Sequence, residues 1–328
     1  MEFEEIRELV AGFQPAKLVL AALDLGVFDA LSTGAKDAGG LAAAIGADPR
    51  ATEIAANALV ALGLLEKGPA GYGNAEPARR FLVRTSPGYK GAILRHLHGT
   101  WGAWSALERT WRAGRRPPED SGEGAEEDPE RTRHFILGME NLTRELAPKL
   151  VPKLPLDGCR KVLDLGAGPG NYCLAFAQRL PEAEIVHFDL PEASAIAREF
   201  VAGKPGAERI TFREGDFLRD PLGSGYDFVW ASQIVHMLGE ADAFRLIERV
   251  AEALAPGGRI AIHDHFLDES KTAPRWAALF GVHMLAVTES GRTYSFEEAE
   301  GWLRRAGVDP FRRVDYGGPS RILLGRKG

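Results

Sequence analysis

The chain has 328 residues, of which 45% are hydrophobic, so it is long enough to form about two domains that each bury a core. Its formal net charge of -6 argues against a polyanion as the main partner, because a phosphate backbone is bound by a clustered positive excess. Two cysteines are too few for a disulfide framework. The acidic N-terminus and the lack of a long apolar run predict a cytoplasmic protein with no membrane partner.

The first third of the chain predicts a small, mainly helical domain. Apolar residues recur at helical spacing from Pro15 to Leu31. Two further helices are indicated by GLAAAIGA and by PRATEIAANALVALGLL. The second begins at Pro49, and Asp48 directly before it is placed to cap the helix. The glycine-rich stretch from Leu65 to Phe81 fits a two-stranded wing. These elements predict a winged-helix-like domain over residues 1–112.

Two segments join this domain to the rest of the chain. The run AGRRPPEDSGEGAEEDPE, from Ala113 to Glu130, is dense in proline, glycine and acid, which predicts a mobile surface loop. Helical spacing resumes from Arg131 to Leu154. We therefore expect a loop and a linking helix over residues 113–157.

From Arg160 onward, short apolar runs alternate with helical stretches. The strand candidates are KVLDL, AEIVHFDL, RITFREG, YDFVWAS and RIAIHDH. Such alternation predicts a parallel sheet with helices on both faces, in a domain over residues 158–328. The last two runs, FRRVDYG and SRILLGRK, fit a hairpin and predict an antiparallel edge strand.

The strongest motif is VLDLGAGPG, in which a hydrophobic strand runs into a turn with Gly166, Gly168 and Gly170. Glycine is needed there because a side chain would block the approach of a ligand to the backbone. The dinucleotide fingerprint GxGxxG places its third glycine one position later, whereas the spacing here is GxGxG. This is the pattern of turns that bind S-adenosylmethionine (SAM), so the motif predicts a nucleoside-type cofactor.

Further polar residues follow the next strands. Asp189 ends the strand in HFDLPE, at the distance from the turn expected of an acid that binds ribose hydroxyls. Asp216 and Phe217, in EGDFL, can supply a polar contact and an apolar face to an adenine ring. Open α/β sheets bind ligands at the carboxyl ends of their strands, so these positions together predict one cofactor site. Each position alone also fits a turn glycine or a capping aspartate.

The order and spacing of these motifs resemble the class I O-methyltransferases typified by plant caffeic acid O-methyltransferases and by bacterial relatives acting on polyketides and pigments. The resemblance covers nearly the whole chain and includes FILGM, VLDLGAGPG, HFDLPE, GDFL, SQIVHMLGE, APGGRIAI and GRTYSFEEAEGWLRRAG. It implies a winged-helix-like, mainly helical dimerisation domain in front of an α/β, Rossmann-like catalytic domain, whose seven-stranded sheet is mostly parallel with an antiparallel edge strand. It also implies a homodimer that uses SAM, releases S-adenosylhomocysteine and methylates a hydroxyl of a small aromatic acceptor.

The resemblance also assigns roles to residues. The cofactor-binding set is Asp164, Gly166, Gly168, Gly170, Asp189, Leu190, Asp216, Phe217 and Ser232. The matching general base is His236 in QIVHMLGE, since an imidazole accepts a proton near neutral pH, and Asp264 in IHDHF falls where an acid orients that base. The predicted walls of the acceptor pocket are Met139, Trp276, Phe280, His283 and Met284.

Three positions depart from the family pattern. Met237 replaces the aspartate after the histidine, Ser232 stands where plant members have a SAM-contacting lysine, and Gly291 lies where a second orienting glutamate is expected. Glu289 is close to that last position in sequence. His236 can therefore still act as the base, with different residues around it than in the family pattern. The alternative is that His236 lines the cofactor pocket without taking a proton.

A metal site is a second alternative for the histidines. The residues that gather around the predicted acceptor pocket, and that could bind iron or zinc, are His236, His263, His265, His283 and Asp264. Alternation along the strand places His263 and His265 on one face and Asp264 on the other, so the three cannot reach one ion without a bend. A methionine also follows His236 where metal-using carbon methyltransferases have an aspartate ligand. We therefore predict no metal.

Other functions compete with hydroxyl methylation. In the same fold they are carbon methylation, with or without a metal, and a reaction without methyl transfer in which SAM is structural. From another class, the front domain suggests a SAM-sensing or DNA-binding regulator, with Arg79, Arg80, Arg84 and Lys90 on phosphates. The same domain carries many acidic residues, which leaves no dominant positive field. We therefore predict a small-molecule acceptor and no nucleic-acid partner.

Overall fold

A computed structural model of the chain describes residues 1–117 and 129–328. These residues form two compact units, Met1–Gly99 and Thr100–Gly328. Most of the predicted acidic loop falls on residues 118–128 and so lies outside the described residues. The domain limits predicted at residues 112 and 157 stay predictions.

The first unit is mainly helical and contains one hairpin. Its elements in order are α1 (Phe3–Ala11), α2 (Phe13–Asp24), α3 (Val27–Ala30), α4 (Ala38–Ile45), α5 (Pro49–Ala61), β1 (Leu65–Gly68), β2 (Gly71–Asn74), α6 (Glu76–Phe81) and α7 (Gly91–Gly99). Helix α5 begins as its sequence predicts, because the Asp48 side chain accepts a hydrogen bond from the Ala51 N–H. Strands β1 and β2 pair antiparallel and form the predicted wing.

The helix predicted from Pro15 to Leu31 is in fact two helices. Gly26 has φ 75°, in the left-handed region, and separates α2 from α3. Leu23 and Phe28, on either side of this break, both enter the core of the unit together with Leu41 and Leu59. The break therefore lets two short segments point apolar side chains at one core.

The second unit contains the large sheet. Its elements in order are α8 (Trp101–Ser105), α9 (Leu107–Ala113), α10 (Pro129–Leu150), β3 (Lys161–Leu165), α11 (Asn171–Arg179), β4 (Glu184–Asp189), α12 (Pro191–Val201), β5 (Ile210–Glu214), β6 (Tyr226–Ser232), α13 (Glu240–Ala253), β7 (Leu254–Asp264), α14 (Arg275–Val287), α15 (Phe296–Arg305), β8 (Val308–Val314) and β9 (Arg321–Lys327).

The sheet has seven strands in the order β5-β4-β3-β6-β7-β9-β8. Strands β3 to β7 run parallel to one another, and β9 is antiparallel to both β7 and β8. This confirms the predicted fold class, a mostly parallel seven-stranded sheet with an antiparallel edge strand. The edge strand is β8, because β9 inserts between β8 and the parallel strands.

Apolar clusters lie on both faces of this sheet. Phe228 and Trp230 of β6 enter one cluster, with residues of α11, and Val229 and Ala231 enter the other, with residues of α13. Alternate side chains of a strand point to opposite faces, so an almost continuous apolar run is buried only when both faces are covered. In the part of the chain that the structure describes, no helix combines the length and the apolar character needed to cross a bilayer.

Candidate active site

The glycine-rich turn follows β3 at the carboxyl edge of the sheet. Gly166, Gly168 and Gly170 all have positive φ, at 65°, 52° and 80°. A Cβ on Gly166 would lie 2.6 Å from Cγ2 of Ile234, whereas a Cβ on Gly168 would meet no described heavy atom within 4 Å. The turn is therefore packed against the protein at Gly166 and open at Gly168.

Two side chains of β4 hold the backbone of Gly168. Asp189 Oδ2 accepts a hydrogen bond from the Gly168 N–H at 2.7 Å, and His187 Nε2 donates to the Gly168 carbonyl oxygen at 3.0 Å. Burial raises the pKa of the Asp189 carboxyl and lowers the pKa of His187. His187 was not among the residues predicted from the sequence. The signal was its place two residues before Asp189, since residues i and i+2 of a strand share a face.

Asp164 lies behind the turn. Its side chain is in the interior, since the residue is 1% exposed, and its Oδ2 accepts a hydrogen bond from Cys173 Sγ at 3.2 Å. Burial raises the pKa of Asp164 to about 7. Its contact with a cofactor stays a prediction, and a role in supporting the turn fits this position better than a place on its open side.

The other predicted cofactor residues lie at the same edge. The Gly215 N–H donates to the Asp189 carbonyl oxygen at 3.0 Å, which joins the end of β5 to that of β4. Asp216 Oδ1 accepts from the Leu218 N–H at 2.8 Å, and Phe217 packs against the core. The remaining two residues flank this group: Leu190 is half exposed and Ser232 ends β6. Their cofactor contacts stay predictions.

The predicted base lies on a short 3-10 turn after β6. Gln233, at φ 60°, turns the chain so that the Val235–Met237 turn returns over the end of β7. There His236 Nδ1 is 2.7 Å from Asp264 Oδ1, and the His236 N–H donates to Asp264 Oδ2 at 3.2 Å. The structure thus brings together the two residues that the sequence predicts as base and orienting acid.

Asp264 is suited to remain ionised in this buried pair. Burial raises its pKa, but His236 and His265 together lower it by more, through their charges and hydrogen bonds, so the pKa lies below its ordinary value. A carboxylate accepts only, so His236 Nδ1 carries the proton in this bond. The neutral ring then has its lone pair on Nε2.

Gly291 explains why a second orienting acid is missing. A Cβ at this position would lie 2.5 Å from the His236 carbonyl oxygen and 2.6 Å from Thr288 Oγ1. No side chain fits there without a shift of the backbone beneath the histidine. Glu289, the neighbouring candidate, is exposed.

Aromatic rings lie beside His236. We call Trp104, Trp276, Phe280 and His283 the aromatic wall. The Phe280 ring centroid is 4.8 Å from that of His236 and 6.2 Å from that of Trp276. Trp104 Nε1 donates to His283 Nδ1 at 3.0 Å. The structure thus brings Trp276, Phe280 and His283 together, although their contact with an acceptor stays a prediction, and it adds Trp104, a residue of α8 for which the sequence offered no signal.

The two methionines predicted as pocket walls lie on different helices. Met139 is half buried on α10, and Met284 is buried on α14. Their contact with an acceptor stays a prediction.

The histidines that suggested a metal site lie in different surroundings. His263 is buried against Trp230, with Nδ1 2.8 Å from Ser232 Oγ and Nε2 2.8 Å from Ser320 Oγ. Strand β7 ends at Asp264, and His265 turns to Phe280 instead. The expectation that His263 and His265 share a face is therefore wrong, because strand alternation stops before His265. Within residues 1–117 and 129–328, no three His, Cys, Asp or Glu side chains group as a metal site would require.

The buried His263 predicts a pH-dependent stability. Burial lowers its pKa from 6.5 to about 3, so between these values the unfolded chain binds more protons and folding weakens as the pH falls. From pH 7 to pH 5, we expect wild type to lose about 2 kcal/mol of unfolding free energy relative to His263→Gln. Urea unfolding at both pH values measures this difference. A matched control is His134→Gln, at an exposed position, and an equal loss in wild type and His263→Gln would contradict the prediction.

Comparisons with known proteins identify the family of the chain. The family model described as the O-methyltransferase domain matches residues 118–309, and the one described as the O-methyltransferase dimerisation domain matches residues 7–84. The tetracenomycin polyketide synthesis 8-O-methyl transferase TcmO of Streptomyces glaucescens is 30% identical over 98% of this chain and 96% of that protein. The 3-hydroxy-5-methyl-1-naphthoate 3-O-methyltransferase of Streptomyces sahachiroi is 31% identical over 96% of this chain and 92% of that protein.

Solved structures are similar over the same length. Human N-acetylserotonin methyltransferase, solved in complex with SAM, is 26% identical with a TM-score of 0.89, over 99% of this chain and 97% of that one. PigF, solved with SAH, is 26% identical with a TM-score of 0.91, and each chain is covered completely at 100%. The chain therefore belongs to the O-methyltransferase family, with a dimerisation domain ahead of its O-methyltransferase domain.

Proposed function

We propose that this protein is a SAM-dependent enzyme that methylates a hydroxyl of a small aromatic acceptor, with His236 as the general base. The observation that carries the proposal is the His236–Asp264 pair, joined at 2.7 Å beside an aromatic wall and at the same sheet edge as the glycine-rich turn. The names of two relatives, a polyketide and a naphthoate methyltransferase, support an aromatic or polyketide acceptor.

The residues at the turn fit SAM. The open side of Gly168 lets a ligand lie against the backbone, which a side chain there would prevent. Asp189 uses its two oxygens to accept from the N–H groups of Gly168 and Leu190, and each oxygen keeps a lone pair for a ribose hydroxyl. Asp216 and Phe217 lie at the end of the next strand, where they would contact the adenine. The chemistry that SAM supplies when bound is a methyl group on a positively charged sulfur.

His236 can take a proton in this arrangement. Its Nδ1–H is held by Asp264, so Nε2 is the atom that accepts the proton of the acceptor hydroxyl. The ring becomes positive when it does so, and the carboxylate at 2.7 Å stabilises that charge in a buried setting. The aromatic wall would orient the acceptor and keep water away, so that the oxygen is aligned when its proton leaves.

The regulator hypothesis has less support. Two of the arginines proposed as phosphate contacts face acids in the same unit: Arg84 Nε is 3.2 Å from Asp29 Oδ2, and Arg79 is 3.6 Å from Glu66. Such pairs reduce the positive field that DNA binding requires.

Calorimetry and product analysis test the proposal. We expect one SAM to bind per chain and a panel of phenols to yield O-methyl products, identified by NMR. Methyl groups found only on carbon would contradict hydroxyl transfer. Salt-sensitive DNA binding without turnover would favour the regulator.

We further propose that the protein is a homodimer that uses α1. This helix buries none of its residues in the chain and exposes Phe3, Ile6, Leu9 and Val10, at spacings that place them on one stripe. Its sequence overlaps the region matched by the dimerisation model, residues 7–84. A second copy of the chain would cover these side chains.

Charged substitutions on α1 should therefore dissociate the dimer. We expect Ile6→Glu combined with Leu9→Glu to sediment as a monomer in analytical ultracentrifugation, since two carboxylates would have to be desolvated at the interface. Glu8→Gln on the same helix serves as the control and should remain dimeric. A wild-type protein that sediments as a monomer would contradict the proposal.

A further inference from the structure

A second imidazole lies beside the His236 ring. The ring centroids of His236 and His265 are 6.4 Å apart, at an interplanar angle of 30°. Both rings pack against Phe280, with centroids 4.8 Å and 4.6 Å from that ring. The ring centroid of Trp276 is 6.1 Å from that of His265. Two imidazoles therefore border the same aromatic wall.

The two imidazoles are held differently. The ring of His236 bonds the Asp264 carboxylate, whereas His265 reaches that carboxylate through its backbone N–H, at 2.7 Å. The His265 ring has Nδ1 3.5 Å from the Pro319 carbonyl oxygen instead. A carbonyl lends less support to a positive ring than a carboxylate does, so His265 is less suited to take a proton. His265 is better suited to bind the acceptor through a hydrogen bond.

His265 presents an acceptor atom. A carbonyl oxygen only accepts, so the proton of the neutral ring is on Nδ1 and the lone pair is on Nε2. Burial lowers the pKa of His265, which outweighs the opposing effect of Asp264 and keeps the ring neutral. Nε2 is therefore the ring atom that can accept a hydrogen bond from a bound acceptor.

We propose that His265 Nε2 accepts a hydrogen bond from a second hydroxyl of the acceptor, next to the hydroxyl that is methylated. This inference rests on the proposed function. Neighbouring aromatic hydroxyls have oxygens about 2.8 Å apart, so one diol that bonds each Nε2 at about 2.8 Å has the reach to join two imidazoles whose ring centroids are 6.4 Å apart. The preferred acceptors are therefore aromatic diols with adjacent hydroxyls, and a carbonyl or methoxy neighbour, which donates nothing, serves less well.

Binding to the protein loaded with S-adenosylhomocysteine tests this inference without turnover. The probes are catechol, guaiacol and phenol, and a naphthalenediol with adjacent hydroxyls beside its matching naphthol, each titrated by calorimetry. We expect each diol to bind about 10-fold tighter than its partners, which is the effect of one hydrogen bond that a pocket group would otherwise lack. His265→Phe should abolish that difference while it still binds the mono-hydroxylated compounds.

Two further variants make the result specific. His265→Gln keeps an acceptor atom and should restore part of the preference, and Phe280→Leu should weaken diols and mono-hydroxylated compounds alike. Equal binding of diols and mono-hydroxylated compounds by wild type, or a preference that survives in His265→Phe, overturns the inference. Failure of S-adenosylhomocysteine to bind contradicts the proposed function itself, so the two failures are distinguishable.

Discussion

Replacing His236 with alanine is expected to lower kcat for methyl transfer by about 100- to 10,000-fold, the range that a positioned general base contributes. SAM affinity should change little, because His236 follows β6, whereas all the predicted cofactor residues except Ser232 lie in or directly after β3, β4 and β5. Single-turnover rates with a phenolic acceptor and calorimetry with SAM measure the two quantities separately.

The pH profile provides the control for this variant. His236→Ala should recover part of its rate at alkaline pH, where phenols ionise without help, whereas wild type should show no such dependence. Asp264→Asn should fall between them, because an amide no longer stabilises the positive ring. A His236→Ala protein that keeps full activity at neutral pH would show that this histidine only lines the pocket.

Loss of the Asp189 carboxylate is expected to have the second-largest effect. A hydrogen bond to a charged group contributes about 1.5–3 kcal/mol. Asp189→Ala loses the hydrogen bonds to two ribose hydroxyls, so its SAM binding should be weaker by about 100-fold or more. The Gly168 N–H would also lose its acceptor, which loosens the turn. Calorimetry with SAM and with S-adenosylhomocysteine measures the loss.

Two variants separate sugar binding from turn geometry. Asp189→Asn keeps an oxygen for the Gly168 N–H and should bind better than Asp189→Ala. His187→Phe removes the other bond to Gly168 and leaves the carboxylate, so it should cost less than Asp189→Ala. As a control, Glu184→Gln, at the exposed start of β4, should change affinity little. If Asp189→Ala binds SAM like wild type, the cofactor lies elsewhere.

The sheet could be predicted from sequence because its signals are local. KVLDL and YDFVWAS coincide with β3 and β6. Short, nearly continuous apolar runs between helical segments are typical of strands that are buried on both faces. The GxGxG spacing likewise predicted a turn whose three glycines all have positive φ. The family resemblance then supplied His236 and Asp264, whose pairing neither local pattern nor spacing could have indicated.

The contacts that give the candidate site its chemistry were decided by the tertiary structure. Trp104 bonds His283 across 179 residues of chain, and Gly291 packs on the backbone of His236. The His265 side chain does not lie on the face that strand alternation predicted, because β7 ends one residue before it, at Asp264. Sequence periodicity predicts the direction of a side chain only within a helix or strand, whereas the side chains of the candidate site lie mostly where strands end. The sequence by itself therefore determined the sheet and its turn, and the folded chain determined which side chains meet there.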